Sequence, residues 1–269
     1  MKYQLEKTSK KHPCPNCGYK RFVRFIDDNN LYLDTKFGRC DRQESCGYFY
    51  SPYHEKATFN QRPKIMDAQT LKYVPLETLK ATLKNYHNNT LINFLNNTFG
   101  RRKTLKAIAD YYIGTARNGG TIFWQIDKHK NIRTAKRMFY KTDGHRNKQL
   151  PDRYLYTSDK GYQTCLFGEH LLAENNKIVA IVESEKTAII CSIQYPEITW
   201  LASSGLEGLT VRKMKALIGK EVLLVPDFST HARERWQHKA EYLLQHNMKA
   251  VLWDPYPEIV DGRDIADLF

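Results

Sequence analysis

The chain has 269 residues, 42 Lys and Arg against 29 Asp and Glu, and a formal net charge of +13. That length admits one large domain or two to three small ones with a sizeable core. No apolar stretch reaches the roughly 20 residues needed to span a bilayer, and Met1 to Lys7 lacks a signal-peptide core, so a soluble, cytoplasmic chain with no membrane partner is expected. The charge is unevenly placed: residues 1–150 hold 29 basic against 12 acidic side chains, and residues 151–269 hold 13 against 17. A basic half attracts polyanions, and nucleic acid fits because neutralising phosphates releases counterions before any base is read. A merely soluble basic protein is the alternative.

The first motif is a pair of cysteine turns, Cys14-Pro-Asn-Cys17 and Cys40 to Cys46, separated by 22 residues. Gly18 and Gly47 follow the two turns, and Tyr19 to Phe25 and Leu31 to Gly38 read as the strands of a hairpin broken at Asp27 to Asn30. Four thiolates on a hairpin suit a closed structural Zn2+ site, whose metal supplies much of the folding energy in so small a segment. Disulfides are the alternative, although they suit exported chains. Lys10, Lys11, Lys20, Arg21, Arg24, Arg39 and Arg42, interleaved with Tyr19, Phe22, Phe37 and Tyr48, could pair phosphates and stack unpaired bases. Many ribbons contact proteins instead. The ribbon is assigned to residues 1–51 and a polar, Pro-containing linker to 52–75.

Residues 76–176 read as a basic middle region. Leu76 to Asn85 and Leu91 to Phe99 show helical periodicity; Gly100 ends the second helix, and Thr104 is placed as the cap of a third running to about Tyr112. Arg101, Arg102 and Lys103 form either a solvated turn or a phosphate contact. Thr121 to Ile126 and Asn131 to Lys141 make a hairpin around Asp127 to Lys130. Alternation puts Arg133, Arg137 and Lys141 on one side and Ile132, Met138 and Tyr140 on the other, with Lys136 as the exception. Such a ribbon could track a strand backbone, or be an ordinary half-exposed hairpin. Cys165 and Cys191 sit in apolar company and read as buried free thiols.

In residues 177–269 four short apolar runs, Lys177 to Glu183, Ile198 to Ser203, Glu221 to Asp227 and Lys249 to Asp254, alternate with helix-period segments. The pattern predicts an α/β fold, a parallel sheet with helices on both faces. Ligands gather at the C-terminal ends of such strands. Glu183, Asp227 and Asp254 fall at those ends, and Asp261, Asp264 and Asp267 follow closely. Clustered carboxylates repel one another and favour a hard divalent ion, Mg2+ or Mn2+; capping of the next helix is the alternative role for each acid.

The pattern resembles the toprim domain shared by bacterial-type primases, topoisomerases and some nucleases. The first strand ends in Glu183 within the small-residue turn Ile181 to Ala188, the third in Pro226-Asp227-Phe-Ser229, and Asp261 to Asp267 supplies a downstream acidic turn. Ser229 stands where that family has a second Asp; a hydroxyl brings no charge, so weaker metal binding is expected. A zinc ribbon ahead of a toprim-like Rossmannoid sheet is the order of bacterial replicative and phage-type primases. The segment from Thr121 through Phe167-Gly-Glu-His170 is similar to zinc-ribbon primase-like proteins of bacterial mobile genetic elements.

The resemblance implies Glu183, Asp227 and Asp264 as catalytic residues. Together with the strand ends it gives Glu183, Asp227, Ser229, Asp254 and Asp261 as the Mg2+ set and Lys186, with Glu185, as contacts to nucleotides; for Glu185 the helix dipole is sufficient explanation. The implied activity is Mg2+-dependent primer synthesis on single-stranded DNA, with nucleotides as substrates and a separate replicative helicase as a partner. A weakly or non-catalytic DNA-binding recruiter and a toprim nuclease are the other readings. At this length strand-gating topoisomerase domains are not expected, and since no Gly-x4-Gly-Lys-Ser/Thr occurs helicase activity is not expected of the chain itself.

Overall fold

The computed structural model describes residues 3–42, 46–53, 71–174, 178–245 and 248–269. The chain divides into two compact units, Met1–Gln69 and Thr70–Phe269, so the middle region and the parallel sheet belong to one body. The linker expected over 52–75 lies for the most part outside the described residues. Among the described residues no helix is long and apolar enough to cross a membrane.

In the first unit β1 (Gln4–Leu5), β2 (His12–Pro13), β3 (Lys20–Ile26), β4 (Gly38–Cys40) and β5 (Phe49–Tyr50) form an antiparallel sheet. The central strand β3 pairs with β1, β2 and β4. The partner strand expected over Leu31 to Gly38 forms instead at Gly38–Cys40. Side chains take up the intervening amides: Asp27 Oδ1 accepts from the amides of Asn29 and Leu31, both at 2.9 Å, and Asp34 accepts from Lys36 at 3.0 Å. Such Asx turns compete with ladder pairing.

The second unit opens with α1 (Leu76–Lys80), α2 (Thr90–Phe99) and α3 (Arg101–Asp110). The helix expected to reach Asn85 stops at Lys80, and Asn85 itself adopts a left-handed conformation at φ 58°. Thr104 does not cap α3, which begins three residues earlier behind Gly100; its buried hydroxyl donates back to the Gly100 carbonyl at 3.0 Å. Then come β6 (Gly114–Thr115), β7 (Thr121–Ile126), β8 (Ile132–Met138) and β9 (Arg153–Tyr154), an antiparallel sheet in that order.

The remainder alternates as β10 (Val179–Val182), α4 (Glu185–Gln194), β11 (Thr199–Ala202), α5 (Val211–Met214), β12 (Glu221–Leu224), α6 (Thr230–Gln245) and β13 (Lys249–Leu252). The strands pair in parallel in the order β11-β10-β12-β13. Ala180 and Val182 join one core with α4 residues Ile189 and Ile190. Val179 and Ile181 join another with Trp236 and Leu243 of α6. Strand residues alternate between faces, so both faces are covered, and apolar strands buried on both sides result. The chain leaves β10 for β11 on one side and then crosses back past β10 to β12 on the other. The switch point therefore lies between β10 and β12, where the C-terminal ends open a crevice.

Candidate functional site

In the ribbon, two tight turns deliver the thiols. The Gly18 amide donates to the Cys14 carbonyl and the Cys46 amide to the Arg42 carbonyl, both at 2.8 Å. Gly18 and Gly47 follow with φ of 71° and 63°, a left-handed conformation that glycine adopts without a Cβ penalty. The Sγ atoms of Cys14, Cys17, Cys40 and Cys46 all lie within 4.8 Å of one another. Cys14 to Cys46 is 3.7 Å and Cys17 to Cys40 is 3.9 Å, matching the ~3.8 Å edge of a tetrahedron with Zn–S bonds of about 2.3 Å. The donor set fits structural Zn2+. Cys165 and Cys191 are buried elsewhere, and burial pushes both thiols well up.

Around this cluster Lys20, Arg21 and Arg39 are exposed. Arg42 stacks 4.0 Å from the Tyr19 ring, and Arg24 lies 4.7 Å from Tyr32 while donating to the Leu33 carbonyl. Phe22 and Phe37 correct the expectation of base-stacking faces, since both are buried in the unit's core. Among the described residues of this unit the exposed rings are Tyr32, Phe49, Tyr50 and Tyr53 instead.

At the switch point of the parallel sheet, Glu183 directly follows β10 and Asp227 lies just beyond β12. The Asp227 amide donates at 3.5 Å to Glu183 Oε1, bringing the two together. The loop carrying Asp264 is drawn in by the segment after Asp227: the Phe228 amide donates to the Arg263 carbonyl at 2.7 Å and the Gly262 amide to the Phe228 carbonyl at 2.8 Å. Thr187 of α4, itself folded against its cap Ser184, donates to Asp264 Oδ2 at 2.6 Å. Asp264 also caps the helical turn Ile265–Leu268 through the Ala266 amide at 2.8 Å, with Asp267 completing a capping box.

Electrostatics mark this edge as short of positive charge. Asp227 is pushed up to about 8, first by burial and then by Glu183, Asp264 and Asp267, with Lys186 opposing. Burial likewise lifts Glu183 and Asp264 above the usual carboxylate range. Among the described residues no donor reaches the Asp227 carboxylate. A half-buried, unpartnered acid beside two others is a seat for an oxygen-seeking cation, so the donor chemistry fits Mg2+ or Mn2+. Among the described residues the four thiols are the only group of three or more His, Cys, Asp or Glu side chains gathered as a metal site; Mg2+ is ordinarily held by one or two carboxylates with its waters retained.

Several expected ligands have other partners. Both oxygens of Asp254 are held by Arg233 of α6, at 2.7 and 3.3 Å. Asp261 is exposed and pairs with Arg263 at 2.8 Å. The Ser229 hydroxyl accepts from the Ala232 amide at 3.1 Å, which makes it the N-cap of α6. Lys186 reaches Asp267 at 3.4 Å. Glu185 is fully buried and meets Lys136 of β8 at 3.2 Å.

Sequence reasoning missed Lys136, Thr187 and Lys239. Lys239 is buried, donates to the Leu206 carbonyl and opposes the rise at Glu183. Lys136 did carry a signal: it was the one cation on the apolar side of the ribbon, a parity violation that a buried acid explains.

Of the basic residues assigned to nucleic acid, Arg101, Arg102 and Lys141 are exposed. Arg133 is engaged with Asp127 at 3.2 Å and with Gln163, and Arg137 lies 5.2 Å from the Phe139 ring. The second strand is therefore not a row of free cations.

A family model described as a domain of unknown function, DUF6371, matches residues 89–228, and one for a zinc beta-ribbon finger matches residues 1–63. No curated protein matches the sequence. Among solved structures the chain is similar to the DnaG catalytic core, at 14% identity over 71% of this chain and 73% of that one, with a TM-score of 0.49. It is similar to the primase fragment of the bacteriophage T7 primase-helicase protein, at 13% identity over 96% and 94% with a TM-score of 0.47. It is also similar to the zinc-binding and RNA polymerase domains of the Aquifex aeolicus primase, at 11% identity over 98% and 76% with a TM-score of 0.42.

Proposed function

We propose, from the premise that this chain belongs to the family described as a domain of unknown function, DUF6371, that it is a primase-like nucleic-acid enzyme synthesising short primers on single-stranded DNA with Mg2+ or Mn2+. The observation that carries this reading is the meeting of Glu183 and Asp227 across the β10–β12 switch point, with the Asp227 carboxylate unpartnered and its proton affinity raised to about 8.

A divalent ion at that edge would orient a nucleotide triphosphate and offset charge on the departing pyrophosphate. Glu183 and Asp227 would hold it. Asp264 supports Asp227 from the acidic loop, and Thr187 fixes Asp264 from the first turn of α4. Lys186, beside the edge and paired with Asp267, is the cation available to a phosphate, and Lys136 holds Glu185 so that α4 keeps its position. The ribbon, with Lys20, Arg21 and Arg39 exposed, would engage the template, and a separate helicase would deliver it during replication or transfer of a mobile element.

A second reading, a weakly or non-catalytic DNA-binding recruiter, is favoured by Ser229: its hydroxyl is spent on the α6 cap, and it adds no charge where the toprim pattern has an acid. One assay separates the two. The 269-residue chain given single-stranded template, nucleotides and Mg2+ should extend short oligonucleotides, and Glu183→Gln should reduce product by about 10³-fold, the scale of losing a charge-stabilising group. Product from Glu183→Gln equal to wild type removes the catalytic assignment. Salt-sensitive DNA binding without product establishes the recruiter.

A further inference from the structure

One strand over from Glu183, on the β11 side of the sheet, a cavity of about 240 Å³ opens between the turn joining β7 to β8 and the short helix α5. Its lining carries Lys128, Arg133, Arg212, Lys213 and Lys215 with His129, against two acids, Asp127 and Glu169. The formal excess is three positive charges before the histidine is counted.

Both acids are held in place by backbone amides, and among the described residues the ion pair within the lining joins Asp127 to Arg133. Asp127 Oδ1 accepts from the amides of His129 and Asn131 at 2.9 and 3.0 Å, and its other oxygen meets Arg133. Glu169 accepts from the amides of Leu166 and Lys128 at 3.0 and 3.3 Å. Lys213 is 5% exposed, and its Nζ donates to the Ser203 carbonyl at 3.0 Å. An ammonium has three donors, and among the described residues no carboxylate forms an ion pair with this one. Burying a cation without a counter-charge is costly, and burial pulls Lys213 down to about 8. Arg212, whose guanidinium reaches Gln163 and Thr164 at 3.5 and 3.2 Å, faces the same cavity with no acid partner among the described residues.

We propose that this cavity binds the phosphate groups of an anionic ligand. The volume accommodates a pyrophosphate-sized group, and the cations approach from two directions, Arg133 from β8 and Arg212, Lys213 and Lys215 from α5 and the turn after it. Asp127 fixes Arg133, and among the described residues no carboxylate pairs with the lysines of the lining. The site is distinct from the acidic edge and does not depend on catalysis there: the edge repels phosphate without a divalent ion, whereas the cavity needs none.

The test is calorimetric titration of the full chain with pyrophosphate, ATP and an oligothymidylate, in phosphate-free buffer without added divalent cations. Wild type should bind pyrophosphate, and Arg212→Gln combined with Lys215→Gln should weaken it at least tenfold, while Asp227→Asn leaves it unchanged. Unaltered melting temperature and zinc content, together with recovery in Arg212→Lys, separate charge loss from misfolding. If the double variant weakens pyrophosphate and ATP but not the oligonucleotide, the phosphates come from a free nucleotide; if the oligonucleotide weakens in parallel, they come from a strand backbone. Equal affinities in wild type and the double variant, or binding of none of the three probes, overturns the proposal.

Discussion

The thiols of the ribbon and the carboxylates of the parallel sheet are both groups of like ligands brought together from separate strands, yet they are built on opposite principles. The cysteine cluster is tight, with every Sγ within 4.8 Å of the others, and rests on a small core in which Phe22 and the buried Cys14 and Cys40 take part. The acidic edge is open. It lies against a large hydrophobic core, and it carries an electrostatic penalty at Asp227. A closed site makes the fold depend on its ion, and an open one leaves room for a substrate.

That contrast can be broken at four places. The largest effect belongs to the ribbon: Cys14→Ser with Cys40→Ser should abolish binding of one zinc per chain and unfold Met1–Gln69, a loss of about 10 kcal/mol by the scale of zinc-dependent folding. Zinc analysis with limited proteolysis reads this, and an intact ribbon without zinc would make the cluster dispensable. Next comes the roughly 10³-fold loss of primer synthesis in Glu183→Gln described above, which should leave the fold unchanged.

Third, Lys136→Met should cost about 3 kcal/mol in urea unfolding, because it strands the fully buried Glu185 as an uncompensated charge. The double variant with Glu185→Met should recover most of that. A single-variant loss under about 1 kcal/mol would mean the pair behaves like an exposed one.

The smallest effect concerns pH. Asp227 has a folded-state value near 8 against an ordinary 3.8, so the folded protein binds the extra proton. Its penalty is absent below about pH 4, grows as pH rises, and is complete above about pH 8. Without divalent ions, Asp227→Asn should therefore be more stable than wild type at pH 8, by about 2 kcal/mol on the scale of single substitutions, and equal to it near pH 4. Added Mg2+ should raise the melting temperature of wild type and leave the variant's unchanged. A flat difference across pH would show that Asp227 is not held against its neighbours.

The alternation of apolar runs with helical segments was sufficient to anticipate a parallel sheet, its four strands and the strand ends that carry Glu183 and Asp227, because those signals are local periodicities. The cysteine spacing was similarly sufficient for the zinc cluster, since two short turns bring their own ligands close. Strand and helix limits moved where side chains took over backbone groups, as Asp27 and Asp34 did before β4, and where the backbone turned left-handed, as at Asn85 after α1.

What the sequence alone determined is the set of elements and the acids at their ends; which acids stand free was decided only by the tertiary structure. Asp254 is claimed by Arg233, Asp264 by Thr187 and its own cap, and Glu185 by Lys136, while among the described residues no donor reaches the Asp227 carboxylate. The cations gathered around Lys213 come from segments about 80 residues apart in the chain. Periodicity reports which face a residue occupies, whereas charge pairing depends on which distant segment packs against that face. Long-range packing therefore settles whether a carboxylate holds the fold together or remains available to a metal.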